Sequence, residues 1–100
     1  MKSEWKKIGV VGVDSGTLMI GDPCYLDDDG WTKEDYDKFV CRMKGDYKQV
    51  PFEHGHAGKA MIFSSGFGDG CYNVFAKIKD YKDWGKRITE VKIVLIEEED

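Results

Sequence analysis

Hydrophobic and polar residues along this chain form short runs that predict strands. The apolar run IGVVGV, residues 8–13, is rich in β-branched residues, and TLMIG resumes after the turn DSG. We expect residues 8–21 to form a hairpin of two strands, because Gly16 can adopt the positive φ of a tight turn. Asp22 and Pro23 then end the second strand, since proline has no amide proton for a ladder.

One amphipathic helix is predicted between the acidic turn DDDG and Gly45. Thr32 stands three residues before Asp35, the arrangement of a capping box at a helix start. Apolar residues follow at helical spacing, at Tyr36, Phe39, Val40 and Met43. We expect the helix to end near Lys44, with Gly45 as its stop, and to bury this stripe in the core.

The second half of the chain predicts further strands at residues 48–52, 59–63, 71–79 and 88–96. Within residues 71–79 apolar and polar side chains alternate, which is the period of a sheet with one solvated face. Residues 88–96 become almost wholly apolar, so we expect this strand inside the sheet. Residues 48–52 are the candidate edge strand.

The order of these elements predicts an α+β fold. Five to six strands with one amphipathic helix and mostly short connections favour an antiparallel sheet over a parallel one. We expect a bent, mostly antiparallel sheet or small half-barrel with the helix on one side. A length of 100 residues indicates a single domain, and 41% hydrophobic residues suffice for a core.

Charge and cysteine content narrow the classes of function. A net charge of −4 and a pI near 5.1 argue against nucleic acid as a partner, because nucleic-acid binders carry a clustered basic excess. We find no signal peptide and no apolar run long enough for a membrane span, so no membrane is expected. Three cysteines without CxxC spacing predict reduced thiols in a cytoplasmic protein.

Two segments, DSGTLMIGDPCY and SSGFGDGCYNVF, each place a Gly- and Asp-rich corner before a Cys-Tyr pair. Glycines free the backbone amides of such a corner to form a nest for a phosphate or carboxylate. If the two corners meet, they would enclose a small polar ligand. The candidate ligand-binding residues are Asp14, Ser15, Gly16, Asp22, Tyr25, Ser64, Ser65, Gly68, Asp69, Gly70 and Tyr72. The alternative role for these carboxylates is to cap backbone amides in turns.

The segments VDSGTLMIGDPCYL and GFGDGCYNVFAKI resemble a family of small proteins from bacteria and their phages. That family shares a DSGxLxIxDPxY segment and a later GDGxYxV segment. The resemblance covers residues 10–26 and 66–78 and leaves the predicted helix and the loop EHGHAG outside it. It implies the fold and the importance of the corner residues, Pro23 among them, and it brings no activity with it.

These patterns favour binding without catalysis. A nucleotide-like molecule suits amide nests with tyrosine walls, and a phage protein of this size would sequester such a ligand or block a host protein. No cofactor or metal is expected, because DDDG fails the register of a calcium loop. His54 and His56 also lack a cysteine pair nearby in the sequence that would complete a zinc site.

Two alternative functions stay open. A thiol-dependent hydrolase would use Cys24 as nucleophile with His54 or His56 as its base. A protein-protein adaptor, or a homodimer, would instead use aromatic anchors at the ends of elements. The candidate anchors are Trp5, Trp31 and Trp84.

Overall fold

The strands of the protein form two three-stranded sheets. The computed structural model describes residues 4–27 and 29–97. Its strands are β1 (Lys6–Val13), β2 (Thr17–Gly21), β3 (Tyr47–Pro51), β4 (Ala57–Ser64), β5 (Gly70–Tyr81) and β6 (Gly85–Ile93). The strand orders are β1-β5-β6 and β2-β4-β3, and the four pairings among the described residues are antiparallel.

The two sheets belong to different units of the chain. The central unit is the continuous segment Asp14–Asp69, and the terminal unit combines the residues up to Val13 with those from Gly70 onward. The central unit also contains the helical segments. These are a 3-10 turn (Pro23–Tyr25) and the helix α1 (Lys33–Tyr36), which continues as a π-helical turn (Asp37–Cys41). No helix in the described part of the chain is both long and apolar enough to cross a membrane.

The helix begins as its capping box predicts. The Asp35 amide donates to Thr32 Oγ1 at 3.2 Å, and the Thr32 amide donates to Asp35 Oδ2 at 2.9 Å. The predicted end near Lys44 is wrong, because the helical conformation stops at Cys41. There the Arg42 amide donates to the Asp37 carbonyl five residues back, which widens the last turn before the chain leaves the helix.

The core of the central unit joins the π-helical turn to β3 and β4. It consists of Phe39, Val50, Ala60 and Ile62, and Trp31 stacks on Phe39 with 6.1 Å between the ring centroids. Ile62 is fully buried, and Val50 is almost fully buried. The predicted helical stripe contributes to this core, since Val40 and Met43 pack against it.

The predicted hairpin of β1 and β2 is wrong. β1 pairs with β5, from Lys6 opposite Ala76 to Val13 opposite Gly70, and β2 pairs with β4. The tight turn itself is confirmed, with Gly16 at a φ of 74°. The chain therefore passes from one sheet to the other between β1 and β2, and each of these strands pairs with a partner far away in sequence.

The last predicted strand also lies elsewhere than expected. β6 is an edge strand and ends at Ile93, so part of the apolar stretch that suggested an interior strand falls beyond it. The expected edge strand near residues 48–52 is confirmed by β3. The α+β class, the antiparallel pairing and the six strands are thus confirmed. The single bent sheet or half-barrel is replaced by two open three-stranded sheets.

Candidate functional site

A pocket of about 380 Å³ opens in the central unit, between the turn after β2 and the connection from β3 to β4. Cys24 and Tyr25 line it from the first segment, and Phe52 and His56 line it from the second. Lys59 of β4 also lines it. We call this cavity the aromatic pocket, because three of these five side chains carry rings.

The first wall of the aromatic pocket is set by Asp22 and Pro23. Asp22 Oδ1 accepts a hydrogen bond from the Cys24 amide at 2.9 Å, and Pro23 occupies the first position of the 3-10 turn. This is the capping role that acidic residues have at such turns. The turn directs Cys24 and Tyr25 to the pocket, so the DPCY part of the first corner builds this wall.

Asp27 stabilises the loop that follows this turn through hydrogen bonds to its backbone. Its Oδ1 accepts from the amides of Asp29 and Gly30, at 3.2 and 2.8 Å, and its carbonyl accepts from the Gly30 and Trp31 amides. The carboxylate of Asp27 is therefore engaged in holding the loop. Asp29 and Gly30 also line the aromatic pocket, with Gly30 directly against the Tyr25 backbone.

Three rings form a continuous row along the aromatic pocket. The Tyr25 and Phe52 rings meet edge to face with centroids 5.1 Å apart, and the Phe52 and His56 rings lie 4.8 Å apart at a tilt of 33°. The β3–β4 connection holds this arrangement through a hydrogen bond from the Phe52 amide to the His56 carbonyl, 2.9 Å long. The rings thus offer apolar aromatic surface to a ligand, although the Tyr25 and Phe52 planes are nearly perpendicular.

Charged groups complete the lining of the pocket. Lys59 is half-buried, and neither ion pair among the described residues, Arg42 with Asp37 and Lys77 with Glu90, includes it. Glu53 lines the same cavity with an exposed carboxylate. The pocket thus combines apolar rings with ionisable side chains of both signs, which is the usual composition of a site for a small polar molecule.

The three residues of the alternative thiol mechanism also line this pocket. Cys24 is a free, exposed cysteine, and His54 and His56 lie in the loop that faces it. Among the residues that the structure describes, no group of three or more His, Cys, Asp or Glu side chains is arranged to hold a metal ion. The DPCY turn and the histidine loop, which the thiol-dependent alternative brings together, therefore line the same pocket.

The two corners meet within the central unit. The Ser65 amide donates to the Gly16 carbonyl at 3.0 Å, and the Ser65 hydroxyl donates to the Gly68 carbonyl at 2.8 Å. Ser65 is fully buried, so its hydroxyl holds the second corner from inside. Asp69 lies beside Gly16, with its Oδ1 4.0 Å from where a side chain on that glycine would begin.

The remaining corner residues are distributed along the chain. Ser15 Oγ lies 2.8 Å from Thr17 Oγ1, and the Ser64 amide donates to the Asp46 carbonyl. Asp14 is exposed at the end of β1, whereas Asp22 and Tyr25 belong to the wall of the aromatic pocket. Gly70 and Tyr72 lie on β5 in the terminal unit. Ligand binding at the corners themselves stays a prediction.

Sequence reasoning missed six of the described residues that line the pocket: Asp27, Asp29, Gly30, Phe52, Glu53 and Lys59. The predicted strands place Phe52 at the end of one strand and Lys59 at the start of the next, and only the pairing of β3 with β4 brings them together. The one available signal was the Gly-containing loop EHGHAG between two predicted strands, which marks a connection at the surface. Comparison with protein families, with curated proteins and with solved structures finds no match, so the site is interpreted from its own geometry.

Proposed function

We propose that the protein binds a small, polar, ring-containing ligand in the aromatic pocket and performs no chemistry on it. The observation that carries this proposal is the continuous ring row of Tyr25, Phe52 and His56 along a pocket of about 380 Å³. A cavity of this size is at the lower end of the range for small-molecule sites. A nucleotide-like ligand would stack its base on one ring of the row and place its polar groups near Lys59.

This proposal is supported by the way the pocket is held open. The carboxylates of Asp22 and Asp27 accept hydrogen bonds from backbone amides of the turn. Their role in the proposed site is therefore to fix the pocket wall. Rings already in contact lose little conformational freedom when a ligand stacks on them, which favours binding by a preformed surface. A phage protein with such a site would act by sequestering its ligand.

We expect Tyr25→Ala to abolish ligand-induced stabilisation, because it removes the outer end of the ring row. The measurement is the thermal midpoint of purified protein with nucleotides, cyclic nucleotides, sugars and amino acids. A ligand at about a hundred-fold excess over its Kd adds about 2.7 kcal/mol, which raises the midpoint by several degrees.

The matched control for this experiment is Tyr47→Ala. Tyr47 is 70% exposed on the edge strand β3 and does not line the aromatic pocket, whereas Tyr25 is 46% exposed. We expect the control to retain the full ligand-induced shift. A panel in which no compound stabilises the wild-type protein, or in which both variants respond equally, would contradict the proposal.

A thiol-dependent hydrolase is the second candidate, favoured by the presence of Cys24, His54 and His56 in one pocket. An imidazole near the thiol would stabilise the thiolate that such chemistry needs. The binding proposal predicts that Cys24→Ser leaves the ligand-induced thermal shift within about one degree of wild type, since the ring row is intact.

The same variant separates the two candidates in an activity assay. Chromogenic ester and thioester substrates are incubated with wild type, Cys24→Ser and the control Cys41→Ser, whose thiol is also exposed but does not line the pocket. Hydrolysis by wild type and by Cys41→Ser, together with its loss in Cys24→Ser, would replace the binding proposal with the enzymatic one.

A further inference from the structure

One edge of the terminal sheet presents an uncharged apolar stretch. β1 is the outer strand in the order β1-β5-β6, so one side of its backbone has no strand partner in the described chain. From Ile8 to Val13 it carries no charged residue and no proline. Ile8 and Val10 are 48% and 61% exposed, so the strand presents apolar side chains along an edge that no other described strand pairs with.

The opposite edge of the same sheet is built differently. β6 carries Lys86, Arg87 and Lys92 within its paired length, whereas the basic residues of β1 stand only at its start. Both edge strands have one register shift against β5, which in β1 falls between Lys7 and Gly9. Charged side chains and bulges are the devices by which natural sheets prevent edge-to-edge association. The two edges therefore differ in charge, and the uncharged stretch from Ile8 to Val13 makes β1 the better candidate for pairing with another strand.

We propose that β1 pairs antiparallel with β1 of a second copy of this chain, about a two-fold axis at Val10. This register places Val10 opposite Val10 of the copy and Gly9 opposite Val11, so apolar residues meet on both faces of the joined sheet. Because β1 carries no charge from Ile8 to Val13, the paired stretch contains no like-charge contact.

The charges that flank β1 favour a second copy as its partner. Lys6 and Lys7 lie at its start, and Asp14 follows its last residue. An antiparallel arrangement of two identical strands brings the basic end of each toward the acidic end of the other. The pairing is therefore complementary in hydrogen bonding, in apolar character and in charge.

The oligomeric state in solution tests this proposal. We expect sedimentation equilibrium to give a dimer for wild type, and Val10→Lys to raise the dimer dissociation constant at least about tenfold, because it sets two ammonium groups opposite each other at the axis. The matched control is Val91→Lys on β6, since Val91 is 55% exposed. This control should dimerise like wild type, and circular dichroism checks that both variants fold.

Crosslinking tests the register independently of any loss of stability. Val10→Cys and, as control, Val91→Cys are made in a background with Cys24, Cys41 and Cys71 changed to serine, and a short bismaleimide is added. We expect a covalent dimer from Val10→Cys alone. A wild-type protein that stays monomeric at millimolar concentration, or a dimer that crosslinks through Val91→Cys instead, would overturn the proposal.

Discussion

Ile62→Ala should lower the free energy of unfolding by about 3 to 4 kcal/mol, within the range found for truncating buried isoleucines and leucines. Among the residues that the structure describes, Ile62 is the largest fully buried side chain, and it belongs to the cluster that joins Phe39 to β3 and β4. Alanine would leave a cavity within this cluster, because β4 is paired with β2 on one side and β3 on the other and cannot readily move to fill it. Urea unfolding followed by circular dichroism measures the loss.

Ile20→Ala is the matched control for that experiment. Ile20 lies on the neighbouring strand β2, where it pairs with Met61, and it is 59% exposed. We expect its replacement to cost less than about 1 kcal/mol, since most of its surface is already in water. Equal losses for the two variants would show that Ile62 does not lie in the core that the structure assigns to it.

Gly30→Ala should be the most damaging small substitution in the loop of the aromatic pocket, with a loss of at least about 3 kcal/mol. A Cβ atom on Gly30 would overlap the carbonyl oxygen of Tyr25 and lie 2.8 Å from its carbonyl carbon. Both atoms belong to the backbone, so no side-chain rotation relieves the overlap. The turn that Asp27 closes would have to open.

The control for Gly30→Ala is Gly9→Ala, because no atom lies within 4 Å of the Cβ that Gly9 would gain. Neither glycine has a positive φ, so the comparison isolates steric overlap from backbone strain. Thermal unfolding of the two variants measures the difference in their stability. If the two variants have the same melting temperature, Gly30 does not approach the Tyr25 carbonyl as closely as described.

Features encoded by neighbouring residues could be predicted from the sequence. The capping box at Thr32 and Asp35 and the end of β2 before Asp22 depend on groups a few residues apart, and each is found as expected. The positive φ of Gly16 is likewise a local requirement of its turn. The strands themselves were located to within a few residues for the same reason.

Features that depend on distant partners could not be predicted. The residue pattern of β1 predicts a strand but not its partner, because other strands in this chain have apolar residues at the same period. The pairing of β1 with β5 rather than β2 therefore could not be predicted from the residues of β1. The aromatic pocket has the same origin. Tyr25 and Phe52 are 27 positions apart, and their contact exists only because β3 and β4 return the chain to the turn after β2.

The two units of the chain do not become complete at the same time during synthesis. The central unit is one continuous segment, so all of its strands have been synthesised once the chain reaches Asp69. β1 is made first yet its partner β5 begins only at Gly70, and its pairing closes a loop from Lys6 to Ala76. The apolar segment IGVVGV therefore has no native strand partner until β5 has been synthesised.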